Sequence, residues 1–303
     1  MKKQTFLLTL AFFLWNVPDV FSAANCPSGT TLNVDCWSCG ATCTAYLSDI
    51  KDDAGNDVKI PWTETTAQKL TVTGSGEMKS YGWGASTAPW QAYTDSVTDI
   101  YVEGLTKIGN VAFRNMNKVN NIELSDTVEE IGNGAFFENV ALKSIHLPNS
   151  VKILGDSAFS DCPNLEEVIL PDNLLSIGAH AFANAKFTEI VIPETVQYLS
   201  ADTFGALETA NGAYYSKAKV ITLYCSDALE EQCEAALQFR KDLGAEVNVM
   251  SYQTSGNQIF YNGRFYNNAN DILSGSYIKK RIYTIDEANR VSGKKNTFKI
   301  RYK

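Results

Sequence analysis

The sequence predicts a repeat solenoid, mainly β-stranded with short turns and helical segments, built from about five coils of 22 to 23 residues. Three observations predict it: a short phrase recurs at a fixed interval, a strand-like segment recurs between its copies, and residue types return to the same positions. The phrase reads IGNVAF, IGNGAF, LGDSAF, IGAHAF and LSADTF. It ends at Phe113, Phe136, Phe159, Phe182 and Phe204, at intervals of 23, 23, 23 and 22 residues. Such a period indicates units that cover each other's apolar faces.

Each coil contains a short strand with alternating apolar side chains. The segments are DIYVE, NIELS, SIHLP, EVILP and EIVIP, which begin at residues 99, 121, 144, 167 and 189. Alternation turns one set of side chains inward. This set is Ile100, Val102, Ile122, Leu124, Ile145, Leu147, Val168, Leu170, Ile190 and Ile192. Because stacked strands lie about 4.8 Å apart, we expect the five phenylalanines to form one aromatic spine inside the solenoid.

Glycine and proline mark the turns of each coil. Gly109, Gly132, Gly155 and Gly178 precede the spine positions, where they are expected to provide either a positive φ or a close approach between backbones. Pro148, Pro171 and Pro193 are expected to end the strands, because proline has no N–H for a further ladder hydrogen bond.

Segments on both sides of the repeat predict further units. Residues 1–24 read as a signal peptide, with two lysines, an apolar run and then small residues. Residues 25–96 are predicted to be a cysteine-rich segment and β cap, 97–210 the solenoid, 211–252 a strand-helix-strand cap, and 253–303 a separate basic module rich in β-hairpins. No later segment has the roughly 20 apolar residues that a membrane span needs. The sequence therefore predicts a protein that is secreted or held at the cell surface.

Seven cysteines follow the predicted signal peptide, and export permits disulfides. Cys26, Cys36, Cys39 and Cys43 are candidates for two disulfides, although the spacing of the last three would in isolation also suit zinc. Two others, Cys225 and Cys233, are predicted either to form a disulfide or to remain buried thiols. The remaining cysteine, Cys162, occupies a repeat position and is expected to be a small buried apolar group.

Charge is unevenly distributed along the chain. Residues 279–303 contain nine Lys or Arg against Asp286 and Glu287, which gives +7, and residues 1–24 carry +1. Since the whole chain carries −8, residues 25–278 carry −16. An acidic body argues against nucleic acid as its partner. The basic segment is interpreted either as a contact for an anionic surface or as a solubilising edge.

The sequence has no recognisable set of catalytic residues. His146 and His180 are its two histidines, and it contains no HExxH, GxSxG or phosphate-loop motif. Glu166, Glu167 and Glu189 are interpreted as a solvated face rather than as calcium ligands. We therefore predict no enzyme activity, no cofactor and no metal site.

The phrase LPNSVKILGDSAFSDCPNLEEV, at residues 147–168, resembles the BspA-type leucine-rich repeat of bacterial and some protist surface proteins. The resemblance covers residues 97–204. It implies extracellular protein binding or attachment to surfaces, without catalysis. Ser200 and Thr203 replace the glycine and alanine in the last copy, as expected for a terminal repeat.

The candidate binding face is the outer side of the strands. One file of side chains is Asp99, Asn121, Ser144, Glu167 and Glu189, and the file beside it is Tyr101, Glu123, His146, Ile169 and Val191. The apolar end of this face is predicted either to be an interface or to be covered by Leu175 and the segment near Tyr214 and Tyr215. Our hypothesis is a non-catalytic, adhesin-like protein that binds a host extracellular or mucosal protein. The alternative is a self-associating component of the cell envelope.

Overall fold

The computed structural model describes residues 36–40, 42–60, 63–84, 87–205, 220–242, 244–255, 258–262 and 264–275. The predicted signal peptide, Cys26 and the basic segment 279–303 lie outside these residues.

A small sheet precedes the repeat and continues into it. Strands β1 (Cys36–Gly40), β2 (Cys43–Asp49) and β3 (Gln68–Glu77) are antiparallel neighbours. β3 then pairs in parallel with β4 (Val97–Ile108), the first strand of the solenoid. The side of β3 that faces the core carries Leu70 and Val72, both fully buried, so the cap and the repeat share one core.

Each coil has two straight runs. The first run contains β4, β5 (Asn121–Leu124), β7 (Ser144–His146), β9 (Glu167–Ile169) and β11 (Glu189–Val191). The second run contains the end of β4 and then β6 (Glu130–Ile131), β8 (Ile153–Leu154), β10 (Ser176–Ile177) and β12 (Tyr198–Leu199). The second run forms an unbroken parallel ladder. The molecule is a mainly β repeat with parallel strands, as the sequence predicts.

The five phenylalanines lie in one buried stack. Successive ring centroids are 5.4, 5.2, 5.8 and 6.2 Å apart, and neighbouring rings are tilted by 18° or less. Trp90 extends the stack toward the N-terminus, 5.6 Å from Phe113, and its indole Nε1 donates to the Ala112 carbonyl oxygen. This sixth ring lies outside the repeated phrase and covers the first open face of the stack.

The repeated glycines permit close backbone approach, and the positive φ angles lie elsewhere. A Cβ on Gly132 would lie 2.7 Å from the Ile108 carbonyl oxygen, so no other residue fits there without a shift. Two other positions in each of four coils are left-handed, with φ between 56° and 60°. These positions are Val111, Gly134, Ser157 and His180, and then Asn115, Glu138, Asp161 and Asn184.

A strand-helix-strand unit follows the last coil. β13 (Val220–Ser226) and β14 (Glu246–Ser255) run parallel to β11, with helix α1 (Glu230–Asp242) between them in sequence. The helix buries Cys233, Ala236 and Leu237 against the core, and Gly244, with φ +83°, follows its end. This unit covers the C-terminal end of the phenylalanine stack.

The predicted C-terminal module 253–303 is described only as far as residue 275, and its hairpin joins the sheet of the strand-helix-strand unit. Strands β15 (Gln258–Tyr261) and β16 (Arg264–Tyr266) form an antiparallel hairpin, and the end of β14 pairs with β15. The order β11-β13-β14-β15-β16 therefore makes one sheet. The short helix α2 (Asp271–Ser274) follows and buries Ile272.

The cysteines depart in part from prediction. Cys39 and Cys43 form a disulfide, while Cys26 and the side chain of Cys36 lie outside the description. Cys225 and Cys233 are buried free thiols, so the alternative of a disulfide between them is wrong for this structure. The two side chains are joined by a hydrogen bond, which raises the pKa of Cys233, and burial raises it further.

Candidate binding face

The structure places the predicted files side by side on the outer side of the first run. Asp99 lies opposite Asn121, and Ser144 lies opposite Glu167, in parallel pairs. The neighbouring file follows the same register. Exposed members of the two files are Asn121, Glu123, His146, Glu167 and Glu189, and half-buried members are Asp99, Tyr101, Ser144 and Ile169.

Val191 does not belong to an exposed face. Its side chain is 1% exposed and packs in a second core with Tyr252, Ile259, Tyr266, Ala269 and Ile272. This core forms because the C-terminal hairpin and α2 lie over the last first-run strand.

Two hydrogen bonds tie these C-terminal residues to the coils. The Tyr252 hydroxyl donates to the Ile192 carbonyl oxygen at 2.9 Å, and Asn270 Nδ2 donates to the Leu170 carbonyl oxygen at 3.0 Å. Leu175, one of the predicted covers, is itself 36% exposed. The other predicted cover, near Tyr214 and Tyr215, lies outside the described residues.

Beyond buried Val191, the second file continues in register into the cap. Tyr224 of β13 follows Val191 in register, and Met250 of β14 follows Tyr224. The rings of Tyr224 and Tyr261 meet edge to face at 5.5 Å, and the Tyr224 hydroxyl donates to Glu189 Oε1 at 3.5 Å. Burial, followed by the charge of Glu189, raises the pKa of Tyr224 to about 12. Sequence reasoning missed these residues, although the alternation in VITLYC and VNVMSY marks them as outward-facing.

The face also continues toward the N-terminus through β3. Lys69 lies opposite Asp99, and its Nζ stands 4.4 Å from the centroid of the Tyr101 ring. The charge of Glu103 raises the pKa of the Tyr101 hydroxyl. Aromatic side chains therefore stand near both ends of the face.

Polar contacts across the face hold its side chains in place. Asn121 Nδ2 donates to Asp99 Oδ1 at 3.0 Å and to Glu123 Oε1 at 3.1 Å, so it links two strands. His146 Nε2 lies 3.3 Å from Glu167 Oε1, with both side chains well exposed. These carboxylates, together with Glu189, give the face a negative charge that favours positively charged partners.

No group of three His, Cys, Asp or Glu among the described residues is placed to hold a metal ion. His146 stands on the open face, whereas His180 occupies a left-handed turn position, so the two histidines do not meet. Within the same residues, no helix is both long and apolar enough to cross a bilayer.

A known family model matches the repeat region of this chain. The family model described as BspA type leucine rich repeat region matches residues 92–211 in six copies, one more than the phenylalanine phrases indicate. No protein with a curated description matches the chain.

Solved structures of bacterial repeat proteins are also similar to this chain. Pneumococcal vaccine antigen PcpA is 23% identical over 58% of this chain and 39% of its own, with a TM-score of 0.36. The T. pallidum leucine rich repeat protein TpLRR is 18% identical over 67% of this chain and 95% of its own, with a TM-score of 0.33. A leucine rich cell surface protein of Faecalibacterium prausnitzii A2-165 is 17% identical over 76% of this chain and 60% of its own, with a TM-score of 0.32. This chain thus spans less than two thirds of the first and third of these structures.

Proposed function

Because residues 92–211 are a BspA-type leucine-rich repeat region, we propose that this protein is a secreted or cell-surface protein that binds another protein on the outer face of its sheet. The protein is non-catalytic, and its partner is a host extracellular or mucosal protein. Solenoids commonly use such extended surfaces for recognition.

The observation that carries the proposal is the alignment of side chains on the outer face, within three groups of paired strands. Parallel register aligns its side chains across β4 and β5, across β7 and β9, and again from β11 into β14. A fully packed core lies behind these strands, so little conformational entropy is lost when a partner binds. Tyrosines such as Tyr101 and Tyr224 provide large rigid contacts, which are enriched in protein interfaces.

Binding to immobilised extracellular-matrix and mucosal proteins, measured by a surface-based optical assay, tests the proposal. We expect saturable binding of the exported chain to one or two members of the panel. The triple variant Glu123→Ala, His146→Ala and Ile169→Ala removes two exposed side chains and one half-buried side chain from the centre of the face. It should weaken binding by about tenfold or more.

A matched control removes three exposed side chains from the second run instead. Glu129→Ala, Ile153→Ala and Gln197→Ala change a similar amount of surface on the other run of the coils. This variant should bind as the parent does. If the two triple variants bind equally, the partner does not use the outer face of the first run.

A specific feature of the second run favours the alternative function, self-association in the cell envelope. Ile153, Leu175 and Tyr198 are 40%, 36% and 57% exposed. Ile153 and Tyr198 lie on the two parallel strands that flank Ser176 in register, and Leu175 immediately precedes Ser176. Contiguous exposed apolar side chains often mark an interface.

Light scattering separates the two functions. Under the alternative, the full chain forms oligomers at low concentration, and Ile153→Glu with Tyr198→Glu returns it to the monomer. A full chain that stays monomeric at every concentration examined excludes the alternative and leaves the face proposal intact.

A further inference from the structure

A cleft of about 260 Å³ opens where the last coils meet the C-terminal hairpin. It lies beyond the ends of β9 and β11, outside the two files of the binding face. The residues that line it are Asp172, Pro193, Glu194, Tyr252, Thr254, Gln258, Ile259, Asn267, Asn268 and Ala269. It therefore exists only because the hairpin folds back onto the repeat.

The lining of the cleft has an excess of hydrogen-bond acceptors and of negative charge. Asp172 and Glu194 contribute carboxylates, three carboxamides and two hydroxyls add further acceptors as well as donors, and apolar side chains such as Pro193 and Ile259 complete the surface. No Lys, Arg or His is among the described residues that line it. An anionic ligand would meet uncompensated repulsion there, whereas a cation with several N–H donors would be complementary.

Neighbouring negative charges oppose the ionisation of Asp172. Partial burial raises the pKa of this carboxyl, and the charges of Asp271 and Glu194 raise it further. A bound cation would favour the ionised form of Asp172.

We propose that this cleft binds the cationic side chain, a guanidinium or an ammonium group, of a polypeptide. A planar guanidinium has five N–H donors in a fixed arrangement that suits carboxylate pairs and carboxamide oxygens. The cleft is large enough for one long side chain and too small for a folded element.

Two polypeptides could supply that side chain. One is the basic segment 279–303 of this chain, which carries +7. Its first lysine, Lys279, is four residues beyond Gly275, a distance that extended chain covers within about 14 Å. The other is a separate protein.

Calorimetric titration with N-acetyl-L-arginine amide tests whether the cleft binds a cationic side chain, whichever polypeptide supplies it. Residues 25–303, the chain without its predicted signal peptide, should bind this probe at low ionic strength. N-acetyl-L-citrulline amide, which has nearly the same shape without the charge, should bind at least about tenfold more weakly. Asp172→Asn with Glu194→Gln should cause a similar loss.

Asp126→Asn is the matched control, because it removes one exposed carboxylate from a coil away from the cleft. It should leave the affinity for the probe unchanged. Equal binding of the citrulline compound, or equal binding of the probe by the Asp172/Glu194 variant, would overturn the proposal.

A second variant identifies the source of the side chain. Lys279→Gln, Lys280→Gln and Arg281→Gln, in the full-length chain, remove the nearest cations of the basic segment. Tighter binding of the probe than in the parent assigns the cleft to this segment, and unchanged binding assigns it to a separate polypeptide. If neither the parent nor this variant binds the probe, the proposal is wrong.

Discussion

At the residue scale, the coils are held in register by side chains at one repeated position. The residue after each repeated glycine accepts a hydrogen bond from a backbone N–H of the next coil. Asn110 Oδ1 accepts from Asn133 N at 2.9 Å, Asn133 Oδ1 from Asp156 N at 3.0 Å, and Asp156 Oδ1 from Ala179 N at 2.8 Å. The series ends at Ala179 because alanine has no acceptor. The sequence shows Asn, Asn, Asp and Ala at this position in successive coils. Their role becomes clear only from the structure, which shows the backbone N–H that each side chain faces.

The left-handed positions lead to a prediction for Ser157. Its φ of 56° costs an L-residue about 1–2 kcal/mol, while glycine adopts it freely at some cost in unfolded-state entropy. Ser157→Gly should therefore raise the free energy of unfolding by about 0.5–1 kcal/mol. The shift of the urea midpoint, at constant m-value, measures this change.

The equivalent position in the preceding coil provides the matched control. Gly134 has a φ of 59°, and a Cβ there would lie 2.6 Å from Cη2 of Trp83. Gly134→Ser should lower the free energy of unfolding by about 1–2 kcal/mol. Should both substitutions shift stability in the same direction, backbone strain would not govern these positions.

At the scale of elements, two coils provide a side-chain donor for a phenylalanine carbonyl oxygen of the preceding coil. Asn139 Nδ2 donates to the Phe113 carbonyl oxygen, and Cys162 Sγ donates to that of Phe136, so the role of Cys162 extends beyond the expected apolar packing. No coil follows Phe204 within the described residues. Its carbonyl oxygen instead accepts a hydrogen bond at 2.6 Å from Nε of Arg240 on α1. Arg240 of the capping helix thus provides the hydrogen-bond donor that a following coil would otherwise provide.

Arg240 should therefore matter more than any other polar residue on α1. Its side chain is 1% exposed, so Arg240→Met leaves the Phe204 carbonyl oxygen buried without a donor. We expect a loss of about 1–3 kcal/mol in the free energy of unfolding. Urea unfolding measures the loss. Lys241→Met, at an exposed position next in sequence, should change stability by less than about 0.5 kcal/mol. Equal effects of the two substitutions would contradict the capping role.

The elements also show how far the sequence predicts this fold. The strands and the phenylalanine stack follow from a period of 22 to 23 residues, because each copy of the phrase repeats the same local packing. Arg240 and Asn270 are different, since their partners lie 36 and 100 residues away in sequence. Such contacts depend on how the chain folds back after the repeat, which no local pattern encodes.

The same distinction applies at the scale of the whole molecule to the candidate face. Alternation within each strand is enough to place Glu123, His146 and Glu167 on the outer side. The burial of Val191 depends on the hairpin that follows about 70 residues later. The cleft beside it is equally invisible in the sequence, because its two walls come from different parts of the chain.

The whole molecule should lose stability at alkaline pH because several acids are buried in their neutral form. Burial raises the pKa of Cys162 to about 12 from an ordinary value of 9.0, and burial likewise raises the pKa values of Tyr81 and Tyr252. Above the ordinary pKa, the unfolded chain releases a proton that the folded chain keeps, so stability falls as pH rises. Arg240 opposes this trend, since burial lowers its pKa to about 10 and the folded chain then loses its proton first. The loss of stability from the three acids with raised pKa values exceeds the opposing effect of Arg240, whose pKa is lowered.

We accordingly expect the free energy of unfolding to fall between about pH 9 and 11, with Cys162 alone contributing about 1.4 kcal/mol per pH unit. Urea unfolding at a series of pH values measures the slope. Cys162→Ala should flatten it by that amount, whatever the variant's stability at pH 7. Ser160→Ala removes a neighbouring buried hydroxyl that does not titrate in this range, so it should keep the parent slope. If Cys162→Ala also keeps the parent slope, the thiol is not protonated in the folded chain at high pH, and its burial in the repeat core does not control its ionisation.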